Sequence, residues 1–228
     1  MPRLAIIGFG KMGHTIEQLA PERGFEVVAR IDPMGGEAGS VKREALKNAE
    51  VAVEFSTPAS APVNIRVAIN CGCPIVVGTT GWYEERPDIE RLARDKQGAV
   101  LISPNFSIGV AAFGEIAKAA ARALKSAPGF DAQITETHHS AKKDAPSGTA
   151  ASLEKLASAE WGKPIPITSI RVGSVPGTHE FVFDAPFEQI RIEHVARDRR
   201  VFADGALLAA RWLIGRQGVF TMADVLKG

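Results

Sequence analysis

The sequence predicts an α/β protein in two parts: a doubly wound parallel sheet, then a smaller α+β region with a mostly antiparallel sheet. Two observations carry this. Short, nearly all-apolar runs alternate with helix-like segments through the first hundred residues, as expected of parallel βαβ units covered by helices on both faces. After about residue 107 the apolar runs are instead joined by short turns containing Gly or Pro, which favours antiparallel pairing.

In order, Leu4–Ile7, Glu26–Ile31, Val51–Phe55, Pro74–Val77 and Ala99–Ile102 read as strands, being short, apolar and rich in β-branched residues. Between them, 11–21, 40–48, 59–70 and 84–96 carry helical spacing and polar faces. A long apolar helix is expected from Gly109 to Leu124, then a strand at Asp131–Glu136 and a polar loop. A helix at Ser147–Trp161 follows, with Leu153, Leu156 and Ala157 on one face. Strands are expected at Thr168–Val172, His179–Asp184 and Gln189–Val195, and a helix at 202–214. That last segment can return the chain to its first part. The expected division is therefore 1–107, completed by about 200–228, and 108–199.

I-I-G-F-G-K-M-G places Gly8, Gly10 and Gly13 in G-x-G-x-x-G spacing, after a strand and at the start of a helix. The first glycine makes a tight turn, the second lets backbone approach a pyrophosphate, and the third lets helix meet strand. The helix start then offers free N–H groups and a positive dipole end to phosphates. Asp32 closes the second strand, nineteen residues past Gly13, where an acid accepts ribose hydroxyls. The first part thus reads as a Rossmann-like dinucleotide-binding domain. A carboxylate at Asp32 favours the 2′-hydroxyl of NADH, and Lys11 in the loop can soften its repulsion of the NADPH phosphate; NADH favoured, or dual use, is the expectation. E-F-S-T-P (54–58), V-G-T-T-G-W (77–82) and S-P-N-F-S (103–107) end later strands at the carboxyl edge where such sheets bind ligands. Gly78 and Thr80 are candidates for the nicotinamide carboxamide, and Asn105 and Phe106 for the wall beside it.

The stretch E-T-H-H-S-A-K-K-D-A-P-S-G-T-A, residues 136–150, holds two of only five histidines. As a metal site, His138, His139 and Asp144 lack ligand spacing, and two adjacent lysines would repel a cation. Ser147 is placed to cap the following helix, but the partner acid of a capping box is missing because residue 150 is Ala. Its hydroxyl and the N–H groups of Gly148 and Thr149 are then candidates for an anion, with Lys142 adding charge. A neighbouring histidine titrates near neutrality and can move a proton. The loop reads as a carboxylate clamp with an acid catalyst.

A net charge of +1 gives no support to wholesale nucleic-acid or membrane binding. The longest uncharged runs, such as 97–114 with its Pro, Asn, Ser and Gly, do not read as membrane spans, and the N-terminus does not read as a signal peptide. Cys71 and Cys73 are one residue apart, a poor disulfide geometry, and are expected as buried thiols in a reducing cytoplasm.

The 136–150 stretch resembles the signature of the 4-hydroxy-tetrahydrodipicolinate (dihydrodipicolinate) reductase family. The likeness runs over nearly the whole chain: the glycine loop, V-G-T-T-G, S-P-N-F-S-I-G-V, R-V-G-S-V-P-G-T-H and F-A-D-G-A-L-L-A-A-R-W-L fall in the family's order. The resemblance implies NAD(P)H-dependent reduction of a cyclic dicarboxylate imine, with water lost from the 4-hydroxy compound, in lysine and diaminopimelate biosynthesis. It implies a second domain that binds substrate and builds a homotetramer. By matching positions, His138 is the proton donor and Lys142 its partner at the substrate. His139, Ser147, Gly148 and Thr149 hold a carboxylate; Gly8, Gly10, Lys11, Met12, Gly13, Asp32, Gly78, Thr80, Asn105 and Phe106 lie along the cofactor. No metal is implied. The chain departs from the family by its shorter loops, by Pro58 where many relatives have a basic residue, and by E-H-V-A-R-D-R (193–199), with Arg197 and Asp198 unusual and Arg199 matching. Two other readings stand beside this one: another nicotinamide-dependent imine or amino-acid dehydrogenase, and a nucleotide-sensing protein without turnover.

Overall fold

Apolar runs at the start of the chain become the centre of a parallel sheet because neither face of them tolerates water. Strands β1 (Arg3–Ile7), β2 (Glu26–Ile31), β3 (Val51–Glu54), β4 (Ile75–Val77) and β5 (Ala99–Ile102) are joined by a sixth, β10 (Gly218–Phe220), in the order β2-β1-β3-β4-β5-β10, all parallel. Every residue of β3, β4 and β5 is buried. The chain steps from β1 to β2 on one side and to β3 on the other, so the topological switch falls at β1, and ligands of such sheets bind at the carboxyl edge there.

The computed structural model describes all residues, 1–228, and the chain divides into two units, Met1–Ser107 with Arg200–Gly228 and Ile108–Arg199. In the first, α1 (Lys11–Leu19), α2 (Ala61–Asn70), α3 (Arg86–Asp95), α6 (Arg200–Leu213) and α7 (Met222–Lys227) surround the sheet. Helix α6 packs on α1, β3, β4 and β5 through small residues, among them Ala203, Ala206 and Ala210, all fully buried. Gly205 lies where a Cβ would meet the Phe106 carbonyl at 1.7 Å, so only glycine lets this helix approach so closely. A capping box on Thr221 and Asp224 starts α7.

The second unit is a sheet in the order β7-β6-β8-β9, built from β6 (Asp131–His138), β7 (Ile167–Arg171), β8 (Thr178–Ala185) and β9 (Glu188–Val195). Helices α4 (Ile108–Leu124) and α5 (Gly148–Trp161) pack on each other, and a core of Phe113, Ala117, Ile134, Leu153, Trp161, Phe181 and Phe183 fills the unit. The sheet is mixed: β6 pairs β7 in parallel, across the α5 crossover, and β8 antiparallel.

Four expectations are corrected. The expected helix at 40–48 is absent: residues 43–48 are turns, with Lys47 and Asn48 at φ 48 and 54, so the left-handed backbone breaks any helix. Strand β6 runs two residues past the expected Glu136, placing His138 on the strand. Leu156 is 44% exposed rather than on the buried face with Leu153 and Ala157. Cys71 is only half-buried, while burial pushes the Cys73 thiol up to about 12. Strand β10 and helix α7 had no expectation, being too short to show a period. No helix is long and apolar enough to cross a membrane.

Candidate active site

In the first unit a cavity of about 590 Å³ opens at the switch point, lined by Gly8 and Gly10 after β1, Asp32 after β2, and Phe55, Ser56 and Asn64 beyond β3. The three glycines have separate causes. Gly8 stands at φ +86, and a Cβ there would lie 2.2 Å from the Phe55 carbonyl. A Cβ on Gly13 would lie 2.4 Å from the Gly8 carbonyl, so the helix start could not seat. A Cβ on Gly10 meets nothing within 4 Å, which leaves its backbone open to a ligand. Asp32 braces this loop: its carboxylate accepts from Phe9 N at 2.9 Å, Met34 N at 2.8 Å and Gly35 N at 3.3 Å. Those backbone donors, Met34 first, hold its pKa below the usual carboxylate range, so it is anionic at neutral pH. The sequence reading made Asp32 a ribose acceptor only; the structure gives it a second task.

The remaining cofactor candidates separate. Lys11 is exposed and Met12 half-buried on the first turn of α1, and neither lines the cavity. A Cβ on Gly78 would fall 2.0 Å from the Phe55 ring, so this glycine makes room for Phe55. Thr80 is exposed, whereas Thr79 beside it is buried and accepts from Ser56 N at 2.8 Å. Phe106 is 2% exposed and packs on Phe55 with ring centres 5.6 Å apart; it is core, not cavity wall. Asn105 accepts from Ser107 N at 2.8 Å and shapes the turn after β5.

The second unit holds the side-chain chemistry. On β6 the alternation that buries Ala132 and Ile134 continues through Glu136 and His138, so the same inward face ends in an acid and an imidazole. Register brings His179 of β8 opposite Glu136, and Arg171 of β7 opposite His138. Glu136 is fully buried. It touches His138 Nδ1 and accepts from Arg171 Nη2 at 2.7 Å and Ser147 N at 3.1 Å. Burial pushes its carboxyl up, but Arg171 and the Ser169 and Ser147 donors outweigh this and hold it at about 2. His138 is 7% exposed and is lowered from the usual value, chiefly by burial and then by Lys142 and Arg171, with Glu136 acting against them. His179, 3% exposed, is pushed down to about 4 by burial and by His138.

Lys142 pairs with Asp144 at 2.8 Å and its N–H bonds the His139 carbonyl. Ser147 caps α5, its hydroxyl oxygen accepting from Ala150 N at 3.1 Å, with His179 Nε2 at 3.5 Å. The hydroxyl is thus a cap as well as a candidate donor, more engaged than the sequence suggested. The Gly148 N–H similarly favours the Asp144 carboxylate. Gly148 is exposed and Thr149 half-buried in the first turn. His139 lines a second cavity of about 520 Å³ with Ser174, Pro176, Arg197, Asp198 and Arg199. The departure at 197–199 therefore lies beside a predicted clamp residue.

Ligand-type atoms of Glu136, His138 and His179 lie within 4.8 Å of one another, close enough to hold a metal ion. This is not the trio weighed in the sequence. Arg171 already sits on Glu136, and Lys142 carries a second positive charge near both histidines, so a third cation would be opposed and proton chemistry suits the cluster better. Glu136, Arg171 and His179 are the members sequence reasoning missed as site residues. The legible signal was the period of β6, which puts Glu136 in phase with His138; the Arg171 and His179 pairings depend on sheet register.

A glycine-turn cavity at the switch point of a parallel sheet, with a separate cluster of buried acid and imidazole groups, defines a nicotinamide-dependent oxidoreductase. Two family models match the chain: dihydrodipicolinate reductase, N-terminus, over residues 2–106, and dihydrodipicolinate reductase, C-terminus, over 109–226. The chain belongs to the dihydrodipicolinate reductase family, NAD(P)H-dependent enzymes of lysine and diaminopimelate biosynthesis. It is 33% identical to a 4-hydroxy-tetrahydrodipicolinate reductase of Christiangramia forsetii, covering 98% of this chain and 97% of that one. It is 36% identical to one of Caldanaerobacter subterraneus subsp. tengcongensis, covering 100% and 99%. Among solved structures, dipicolinate-bound dihydrodipicolinate reductase from Paenisporosarcina sp. TG-14 superposes with a TM-score of 0.82 at 23% identity over 97% of each chain. An aspartate dehydrogenase from Thermotoga maritima shares the fold more loosely, with a TM-score of 0.55 at 12% identity over 93% of this chain and 96% of that one.

Proposed function

We propose that the chain reduces 4-hydroxy-tetrahydrodipicolinate to tetrahydrodipicolinate with loss of water, using a nicotinamide cofactor held by residues 1–107 and a substrate clamp within 108–199. The observation that carries this division is the buried His138, in contact with Glu136 and within the electrostatic reach of Lys142, on a family signature. The nicotinamide, when bound, supplies hydride. Gly8, Gly10 and Gly13 let backbone approach the cofactor's phosphates. His138 donates a proton to the carbon next to the one reduced. Lys142 is the partner of His138 at the substrate and adds one positive charge, and His139, Ser147, Gly148 and Thr149 orient one carboxylate at the start of α5.

NADH is the favoured cofactor, with NADPH tolerated. Support comes from the anionic Asp32 in the cavity and from a lining without lysine or arginine. A 2′-phosphate would meet that carboxylate, with the exposed Lys11 at the start of α1 as the cation that softens the repulsion. A homotetramer is proposed through the outer face of the second sheet, where Ile170, Val172 and Val195 are 42%, 51% and 52% exposed. The biosynthetic role of the family supports a cytoplasmic location.

The test is NADH oxidation with the aldol product of pyruvate and aspartate semialdehyde, made in situ by the preceding synthase. Oxidation requiring both components is expected, with kcat/KM at least about tenfold better for NADH than NADPH, roughly 1.4 kcal/mol. Oxidation that stays at background would remove the reductase reading.

A further inference from the structure

Resting on that reading, we infer that Glu136 is a positioning residue that holds His138 by Nδ1 and so commits Nε2 to deliver the proton. The carboxylate touches Nδ1, and neither Nδ1 nor Glu136 Oε2 has a competing partner. On the other side of the ring Nε2 faces Gly177, where a Cβ would lie 3.1 Å away, so the glycine keeps that nitrogen accessible. One ring nitrogen is occupied by a buried anion and the other faces a space kept open by a missing side chain.

The same carboxylate accepts from Ser147 N at 3.1 Å, at the cap of α5. Arg171 bonds it at 2.7 Å and also donates to the Asp144 carbonyl at 2.5 Å, anchoring the loop that carries Lys142. Glu136 therefore ties the acid and the carboxylate clamp to one fixed point.

Charges around His138 come from four elements. Glu136 on β6 favours the imidazolium; Arg171 on β7 and Lys142 in the loop disfavour it, and neutral His179 on β8 packs edge-on with ring centres 5.2 Å apart. His194 on β9 pairs opposite His179, one strand further out. Glu136 is thus the anion in contact with the ring, and burial already weakens the protonated form. During turnover the Nε2–H bond breaks as the substrate C–H bond forms, and water reprotonates the ring before the next cycle.

The experiment compares wild type with Glu136→Gln, which keeps shape and removes charge. Histidine-selective ¹⁵N NMR of the ligand-free protein is expected to show the His138 titration moving down by about one pH unit or more. The basic limb of kcat/KM should follow, costing about tenfold at pH 8, while substrate KM changes less than kcat. If His138 titrates as in wild type, the inference is overturned even where reductase activity stands. Conversely, an unreactive wild type would sink the reductase reading and leave the NMR comparison intact. Should Glu136→Gln fail to fold because Arg171 is stranded, Arg171→Gln and Glu136→Gln/Arg171→Gln form the comparison: their His138 titrations must differ in the same direction, and coincident titrations reject the idea.

Discussion

The end of β1 and the end of β6 each carry a cluster of candidate functional groups in their own unit, built from different material. After β1 the chain uses backbone: Gly8 turns left-handed beneath the Phe55 carbonyl, Gly13 seats the helix on Gly8, and Gly10 leaves a peptide bare. After β6 the chain uses side chains, gathering Glu136, His138, Arg171 and His179 from three strands into a nearly dry cluster. Binding a polyphosphate asks for N–H groups and a close approach, which any glycine-rich turn supplies. Moving a proton asks for titratable groups in fixed relation, and only tertiary pairing can provide that.

The contrast can be broken first at Lys142. Lys142→Ala should lower kcat/KM by roughly 10–10²-fold, the weight of a charged contact of about 1.5–3 kcal/mol, while NADH binding measured by fluorescence titration stays within twofold. Loss of NADH affinity alone would place Lys142 with the backbone-built half instead. On the β1 side, Gly8→Ala forces a Cβ into a left-handed turn and a 2.2 Å contact; urea unfolding should show a loss of at least about 2 kcal/mol. Gly10→Ala should cost less than about 0.5 kcal/mol of stability yet weaken NADH, because its Cβ meets only open space. Equal stability losses for the two would mean that Gly10 is also a packing glycine.

A pH dependence is expected in the second unit. His179 is held neutral, its folded pKa of about 4 lying below the ordinary 6.5. Unfolding therefore takes up a proton between these values, so stability is full above about pH 6.5 and lost as pH falls toward 4. Glu136, depressed from 4.5 to about 2, adds a second loss as pH falls from about 4.5 to 2. Urea titrations read through Trp161, with Trp82→Phe and Trp212→Phe silencing the other unit, should lose on the order of 1–2 kcal/mol between pH 7 and 5. His179→Gln should flatten that slope. A slope unchanged by the substitution would assign the acid sensitivity elsewhere.

Much of the fold was legible because its central strands are apolar on both faces, and Ala99–Ile102 forms as read; Glu26–Ile31, at the sheet edge, forms as read through its β-branched residues. The glycine loop was legible because a turn, a close approach and a helix start demand fixed residue types at fixed spacing. The 40–48 segment misled because its composition permits a helix, while left-handed Lys47 and Asn48 end the turn before one forms. The packing of Phe106 and Gly78 on Phe55 was not legible, because a strand end looks alike whether or not its side chains pack inward. Arg171 and His179 stayed hidden for a different reason. Each lies more than thirty residues from Glu136, and only the parallel β6–β7 and antiparallel β6–β8 registers bring them to it.

The most direct test of the division between the two halves is His138→Gln, assayed for NADH affinity and for turnover in the same preparation. NADH should bind within twofold of wild type while kcat falls by roughly 10²–10⁴, the range of lost acid catalysis. A kcat that matches wild type would contradict the assignment of the proton to β6.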